Sequence, residues 1–157
     1  MNVRLLIIFT YVAVILIIVY SIVHEIRENY MQEDPMLDEL MKTVRPIFET
    51  EEKHTGNLEG LNDTKILDKI SLYKGNRSYT INKEKVYICL RDENDEYYNK
   101  NMLIYVFLHE LAHCVTDEVG HTEKFHDIFQ NLLMRAINAG VYNPSIPVIK
   151  NYCNHTE

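Results

Sequence analysis

The sequence predicts an α+β domain carried behind a single membrane-spanning helix. Three observations lead there: an uncharged apolar run over residues 5–23, short segments of alternating apolar and polar residues between 70 and 90, and two apolar helical patterns after them. A length of 157 residues suits one compact domain, and the sheet expected from residues 70–90 is small and antiparallel. With 46% hydrophobic and 25% charged residues, and only 5 Gly and 4 Pro, the chain is neither wholly disordered nor a Pro-rich scaffold. Cys89, Cys114 and Cys153 are too few and too scattered for a disulfide framework or a four-cysteine zinc site.

Residues 5–23 form 19 consecutive positions without a charge, rich in Leu, Ile and Val, which as a helix span about 28 Å, close to the thickness of a bilayer's hydrocarbon core. The run is longer than the apolar part of a cleaved signal peptide and lacks small residues at its end, so it is read as a retained single-pass anchor over residues 1–24. Arg4 before it and Arg27 after it nearly balance, which leaves the side of the membrane open. Three glycosylation sequons, at Asn62, Asn76 and Asn154, lean toward an exterior or lumenal face.

All 23 acidic residues and 15 of the 16 basic ones lie beyond His24, giving that part a net charge of −8. A phosphate-binding surface is therefore not expected, and no nucleic-acid partner. The acidic residues concentrate in 25–63, a juxtamembrane segment in which Asp34 and Pro35 read as N-cap and first residue of a short amphipathic helix ending at Pro46. Residues 49–60 read as a polar loop. Residues 64–157 then hold the folded domain, with strands expected at 70–73, 78–81 and 86–90 and a solvated acidic turn at 92–96.

A dense apolar helix over residues 101–115 contains His109-Glu110-Leu111-Ala112-His113. Two histidines four residues apart stand one above the other on one helical face, so both imidazoles reach a single metal, for which zinc is the best match. Glu110 points to the side, toward the position where a general base is needed to deprotonate a water. Gly120 then reverses the chain and brings up His121 as a third ligand, with His126 and the carboxylates of Glu118 and Glu123 as alternatives. Three protein ligands leave one position open, the mark of a catalytic rather than a structural zinc site. Thr122 N-caps a second helix whose stripe of Phe125, Ile128, Phe129, Leu132, Leu133 and Ala136 packs it against the first, up to Gly140. His24, His54 and His155 read as surface residues and Cys114 as a small buried hydrophobe.

The zinc-type motif, Gly120-His121-Thr122 with Phe125, and the upstream runs Ser78-Tyr79-Thr80-Ile81-Asn82-Lys83 and Val86-Tyr87-Ile88-Cys89-Leu90-Arg91 together resemble the core of the small WLM-type and SprT-like zinc metallopeptidases, including versions carried by large DNA viruses. The resemblance covers residues 66–140. It implies a minimal zincin-like fold, with residues 64–157 as the metallopeptidase domain, acting on a protein or peptide substrate. It also implies one Zn2+ per chain, held by His109, His113 and His121, with Glu110 as catalytic base. The expected reaction is peptide-bond hydrolysis by zinc-activated water, with residues 86–90 offering a strand edge to the substrate and Tyr142 a candidate for stabilising the oxyanion. The alternative is a catalytically silent, membrane-tethered zinc-binding or interaction module. Nuclear members of the group digest proteins crosslinked to DNA; the apolar anchor and acidic surface of this chain depart from them.

Overall fold

A computed structural model describes residues 3–49 and 52–153, which divide into two units, residues 1–33 and 34–157. The first is a single helix, α1 (Val3–Gln32), within which Ile7–Arg27 is long and apolar enough to cross a membrane. Its described apolar side chains are exposed.

The second unit begins at α2 (Pro35–Phe48). Asp34 accepts a hydrogen bond from the Met36 N–H at 3.0 Å and Pro35 fills the first turn, as the sequence leads one to expect. The helix runs two residues beyond Pro46, because Ile47 and Phe48 are buried and their packing outweighs the missing N–H near the helix end. Leu37, Leu40, Val44, Ile47 and Phe48 all belong to the main hydrophobic core. Residues 34–63 are thus part of the folded unit rather than a separate juxtamembrane segment, and the compact unit starts at residue 34 instead of 64. Of the 11 acidic residues in 25–63 only Asp38 and Glu39 lie on α2, and α2 joins the core through its apolar face. Part of the expected polar loop is a 3-10 helix, Gly56–Asn62, which buries Leu61. At Gly60 the backbone comes so close to Val115 that a Cβ would lie 2.6 Å from the Val115 carbonyl oxygen, which only glycine tolerates.

After a second 3-10 turn, Ile66–Lys69, the chain forms β1 (Ser71–Lys74), β2 (Tyr79–Ile81) and β3 (Lys85–Ile88) in the spatial order β1-β3-β2. The sheet is mixed: β2 pairs with β3 antiparallel, whereas β1 pairs with β3 parallel, Leu72 opposite Val86. The cause lies in the connections. Asn82 and Lys83 both take positive φ, making a tight reverse turn closed by the Glu84 N–H to the Ile81 carbonyl, and this turn folds β3 back between β2 and β1. Val86 and Ile88 on this central strand are completely buried. The strand expected to offer its edge is therefore paired on both sides, and the edge strands are β1 and β2.

The two remaining helices are α3 (Lys100–Val115), capped by Asn99, and α4 (Glu123–Asn138), capped by Thr122, whose hydroxyl accepts from the Phe125 N–H. Their apolar faces pack together through Phe107, Leu111, Phe125, Ile128 and Leu132, each at most 1% exposed. Cys89 and Cys153 form a disulfide across 64 residues, a single staple that the cysteine spacing did not announce; Cys114 is buried and free, its thiol pushed up to about 12 by burial. Asn76 lies exposed in a turn, Asn62 uses its side-chain amide to donate to the His54 carbonyl, and the third sequon, with His155, lies outside the described residues. His54 is not a surface residue: its ring nitrogen meets the Arg135 guanidinium, and its side chain is 10% exposed.

The boundary at residue 34 can be checked by truncation. Removing residues 1–33 is expected to leave a soluble chain that unfolds cooperatively on heating, whereas removing residues 1–48 takes five core side chains with it, at about 2–5 kcal/mol each, and should abolish that transition. Equal behaviour of the two truncations in a calorimetric scan would contradict this division.

Candidate metal centre

The helical spacing of His109 and His113 places both on the face of α3 that looks toward the start of α4. At the end of α3 the Thr116 N–H bonds back to the Ala112 carbonyl, and the chain then leaves the helix through residues 117–119. Gly120, with φ of +87°, turns it into His121. The Lys83 ammonium, from the β2–β3 turn, donates to the Thr116 carbonyl, so the sheet holds this loop in place. As a result the His121 Nε2 lies 3.1 Å from that of His109 and 3.2 Å from that of His113. Two nitrogens bound tetrahedrally to zinc at about 2.0–2.1 Å would be about 3.3 Å apart, so the three donors fit such an ion. They are the group among the described residues that could hold a metal.

The surroundings keep the two imidazoles of α3 in the ligand form. Burial, reinforced by the neighbouring rings of His113 and His121, lowers His109 to about 4, and burial followed by His121 lowers His113 as well. Both are therefore neutral at physiological pH, with a lone pair free to bind a cation. Phe125, 1% exposed, sits behind the cluster: its ring stacks on His113 at 4.3 Å and meets His121 at 4.8 Å and His109 at 5.0 Å edge-on. The apolar stripe of α4 thus also forms a dry wall around the donors. His126 is exposed, its ring 6.4 Å from that of His121, and it, Glu118 and Glu123 stand outside the donor group.

Glu110 is buried at 5% exposure beside the ligands. The Thr80 hydroxyl on β2 reaches its Oε2 at 2.9 Å and its backbone carbonyl at 3.2 Å, fixing the carboxyl to the edge strand. Burial raises Glu110 to about 7, against the opposing influence of Thr80. Thr80 escaped the sequence reading, where it was one polar position in an alternating strand; only the fold shows that this face of β2 meets α3. Tyr142, the expected oxyanion partner, is instead buried against Tyr105 at a ring distance of 6.0 Å. Two adjoining cavities open here. One, of about 610 Å³, runs from β2 past His109, His113 and His121; the other, of about 480 Å³, shares Ser78, His109 and Glu110 with it and continues to Tyr152.

With this geometry in view, the comparison with known families is decisive at the family level: the family model for the WLM domain matches residues 22–143, most of the chain. The chain belongs to the WLM domain family. The chain is 44% identical over 111 residues to uncharacterized protein 136R of Invertebrate iridescent virus 6, covering 69% of this chain and 62% of that protein. It is 45% identical over 100 residues to uncharacterized protein 042R of Invertebrate iridescent virus 3, covering 63% of each. A shorter match, 39% identical over 67 residues, is with uncharacterized protein R325 of Acanthamoeba polyphaga mimivirus, over 41% of this chain and 34% of that protein. The chain thus spans less than two thirds of the length of these viral relatives. No solved structure matches it significantly. The α+β fold with its small sheet is that of a WLM domain, and the family's zincin-like character agrees with three histidines that could hold a metal.

Proposed function

We propose that this WLM domain is a zinc-dependent metallopeptidase, anchored in a membrane by α1 and hydrolysing protein or peptide substrates. The observation that carries the reading is the convergence of three imidazole nitrogens beside a buried, oriented carboxyl group. A purely structural site would have no use for Glu110.

In this mechanism His109, His113 and His121 hold one zinc ion per chain. Zinc, when bound, supplies a Lewis acid that brings the pKa of a water to about 7 and polarises the scissile carbonyl. Glu110 takes the proton from the attacking water and hands it to the leaving amine, a task for which a group titrating near neutrality is matched. Thr80 keeps the carboxyl aimed while this happens. The outer edge of β2, beside the larger cavity, presents backbone groups with which an extended peptide can pair as an added strand, a mode that recognises backbone rather than sequence. This role passes to β2 from residues 86–90, whose strand is internal.

Localisation follows from the same features. In this reading the apolar window Ile7–Arg27 serves as the anchor, and the Cys89–Cys153 disulfide and the exposed sequon at Asn76 support a domain on the oxidising side of the membrane. No nucleic-acid partner is proposed.

The test is cleavage of an unfolded protein by the purified full chain in detergent. A chelator should abolish cleavage and stoichiometric zinc should restore it. Full zinc occupancy without any cleavage would favour the silent zinc-binding module instead.

A further inference from the structure

The cavity of about 480 Å³ has a wall that lies outside the matched family domain. The match ends at residue 143, whereas Tyr152 and Cys153 line this cavity. Residues 143–153 reach it as a strap pinned at both ends. At the start, the Asn101 side chain both donates to the Asn143 carbonyl at 3.1 Å and accepts from its N–H at 2.7 Å. At the far end Cys153, at a φ of +53°, is tied to β3 by the disulfide to Cys89, and its N–H donates to the Tyr98 hydroxyl at 3.1 Å.

Between Cys153 and the sheet, the Tyr152 hydroxyl donates to the Cys89 carbonyl and meets Ser78 Oγ at 3.1 Å, while Ser78 Oγ accepts from the Cys89 N–H at 3.0 Å. These bonds use up the polar end of Tyr152. Its ring packs against Tyr98 at 4.8 Å and is left as a fixed apolar surface beside the cavity. Met102, Tyr105 and Val106, on one face of α3, supply the rest of the apolar lining, and the exposed Arg77 also lines the cavity. His109 and Glu110 themselves also line it.

We propose that this cavity is a substrate subsite that takes a bulky apolar side chain, aromatic above all, from a residue flanking the scissile bond, and that Tyr152, carried by the disulfide-pinned strap, is its specificity-determining residue. The inference rests on the metallopeptidase reading, since it is the adjacency to Glu110 that makes the occupant a residue next to the cleaved bond. The volume suits an aromatic side chain, and the Ser78 and Tyr152 hydroxyls in the wall are already bonded to one another and to the Cys89 backbone, so an apolar occupant strands neither.

The experiment measures binding rather than turnover. Three short peptide hydroxamates, differing only in carrying a benzyl, a methyl or a carboxymethyl side chain beside the metal-binding group, are titrated into the zinc-loaded full chain in detergent. Zinc content is determined first, so that failure of the metal centre is seen there and failure of the subsite in the affinity ratios. The benzyl compound should bind roughly tenfold or more tighter than the methyl compound, a typical discrimination for an apolar pocket. In Tyr152→Ala that ratio should fall to within about threefold while the methyl compound's affinity stays unchanged; Tyr152→Phe should keep the ratio, because the ring and not the hydroxyl faces the occupant. Cys153→Ser, which frees the strap without touching the cavity's α3 side, should lower the ratio too and guards against misfolding of the alanine variant. Equal ratios in wild type and in both loosened variants, or tightest binding of the carboxymethyl compound, would overturn the proposal.

Discussion

Glu110→Gln should keep its zinc and lose hydrolysis by roughly two to four orders of magnitude, the usual contribution of a positioned general base. The substitution preserves size and helix propensity, and the amide oxygen of the variant can still accept from the Thr80 hydroxyl, which reaches the native carboxyl at 2.9 Å. What it removes is the ability to take a proton. The comparison is made on an unfolded protein substrate, with zinc measured on both preparations. Similar rates for wild type and variant would exclude Glu110 as the base, and loss of zinc in the variant would make it a ligand instead.

The second large effect concerns the metal itself. His109→Ala and His113→Ala each leave two nitrogen donors, and zinc affinity should fall by more than the roughly 10–100-fold that loss of a mere outer partner costs. His121→Ala should act in the same direction, since its Nε2 stands 3.1 and 3.2 Å from the other two. His126→Ala should retain zinc, because that ring is exposed and outside the donor group. Competition against a chromogenic chelator gives all four affinities. A His126 variant that loses metal while the His121 variant keeps it would mean that the third ligand has been assigned to the wrong histidine.

Much of the site can be read from the chain because its geometry is local. His109 and His113 share one helix, so a four-residue spacing alone sets their common face. Gly120 and the Thr122 cap, both adjacent to His121, likewise act within a turn. Asp34 and Pro35 mark the start of α2 for the same reason. What stayed hidden is non-local. An alternating pattern in residues 86–90 tells which side chains face inward but not which strand lies beside which, and the insertion of β3 between β1 and β2 depends on a turn with two residues at positive φ, neither of them glycine. Thr80 meets Glu110 across 30 residues, and Tyr152 meets Ser78 across 74, contacts for which the sequence carries no periodic signal. Composition misplaced the domain boundary because a charge count over residues 25–63 is dominated by acidic residues outside α2, whereas the buried apolar face of α2 is what decides where it belongs.

Zinc X-ray absorption on the purified full chain tests the central claim most directly. The account predicts one zinc per chain with three imidazole nitrogens at about 2.0–2.1 Å and one further light oxygen ligand that an added hydroxamate displaces. A sulfur ligand at about 2.3 Å, or four protein ligands with no exchangeable position, would contradict a catalytic centre built from His109, His113 and His121.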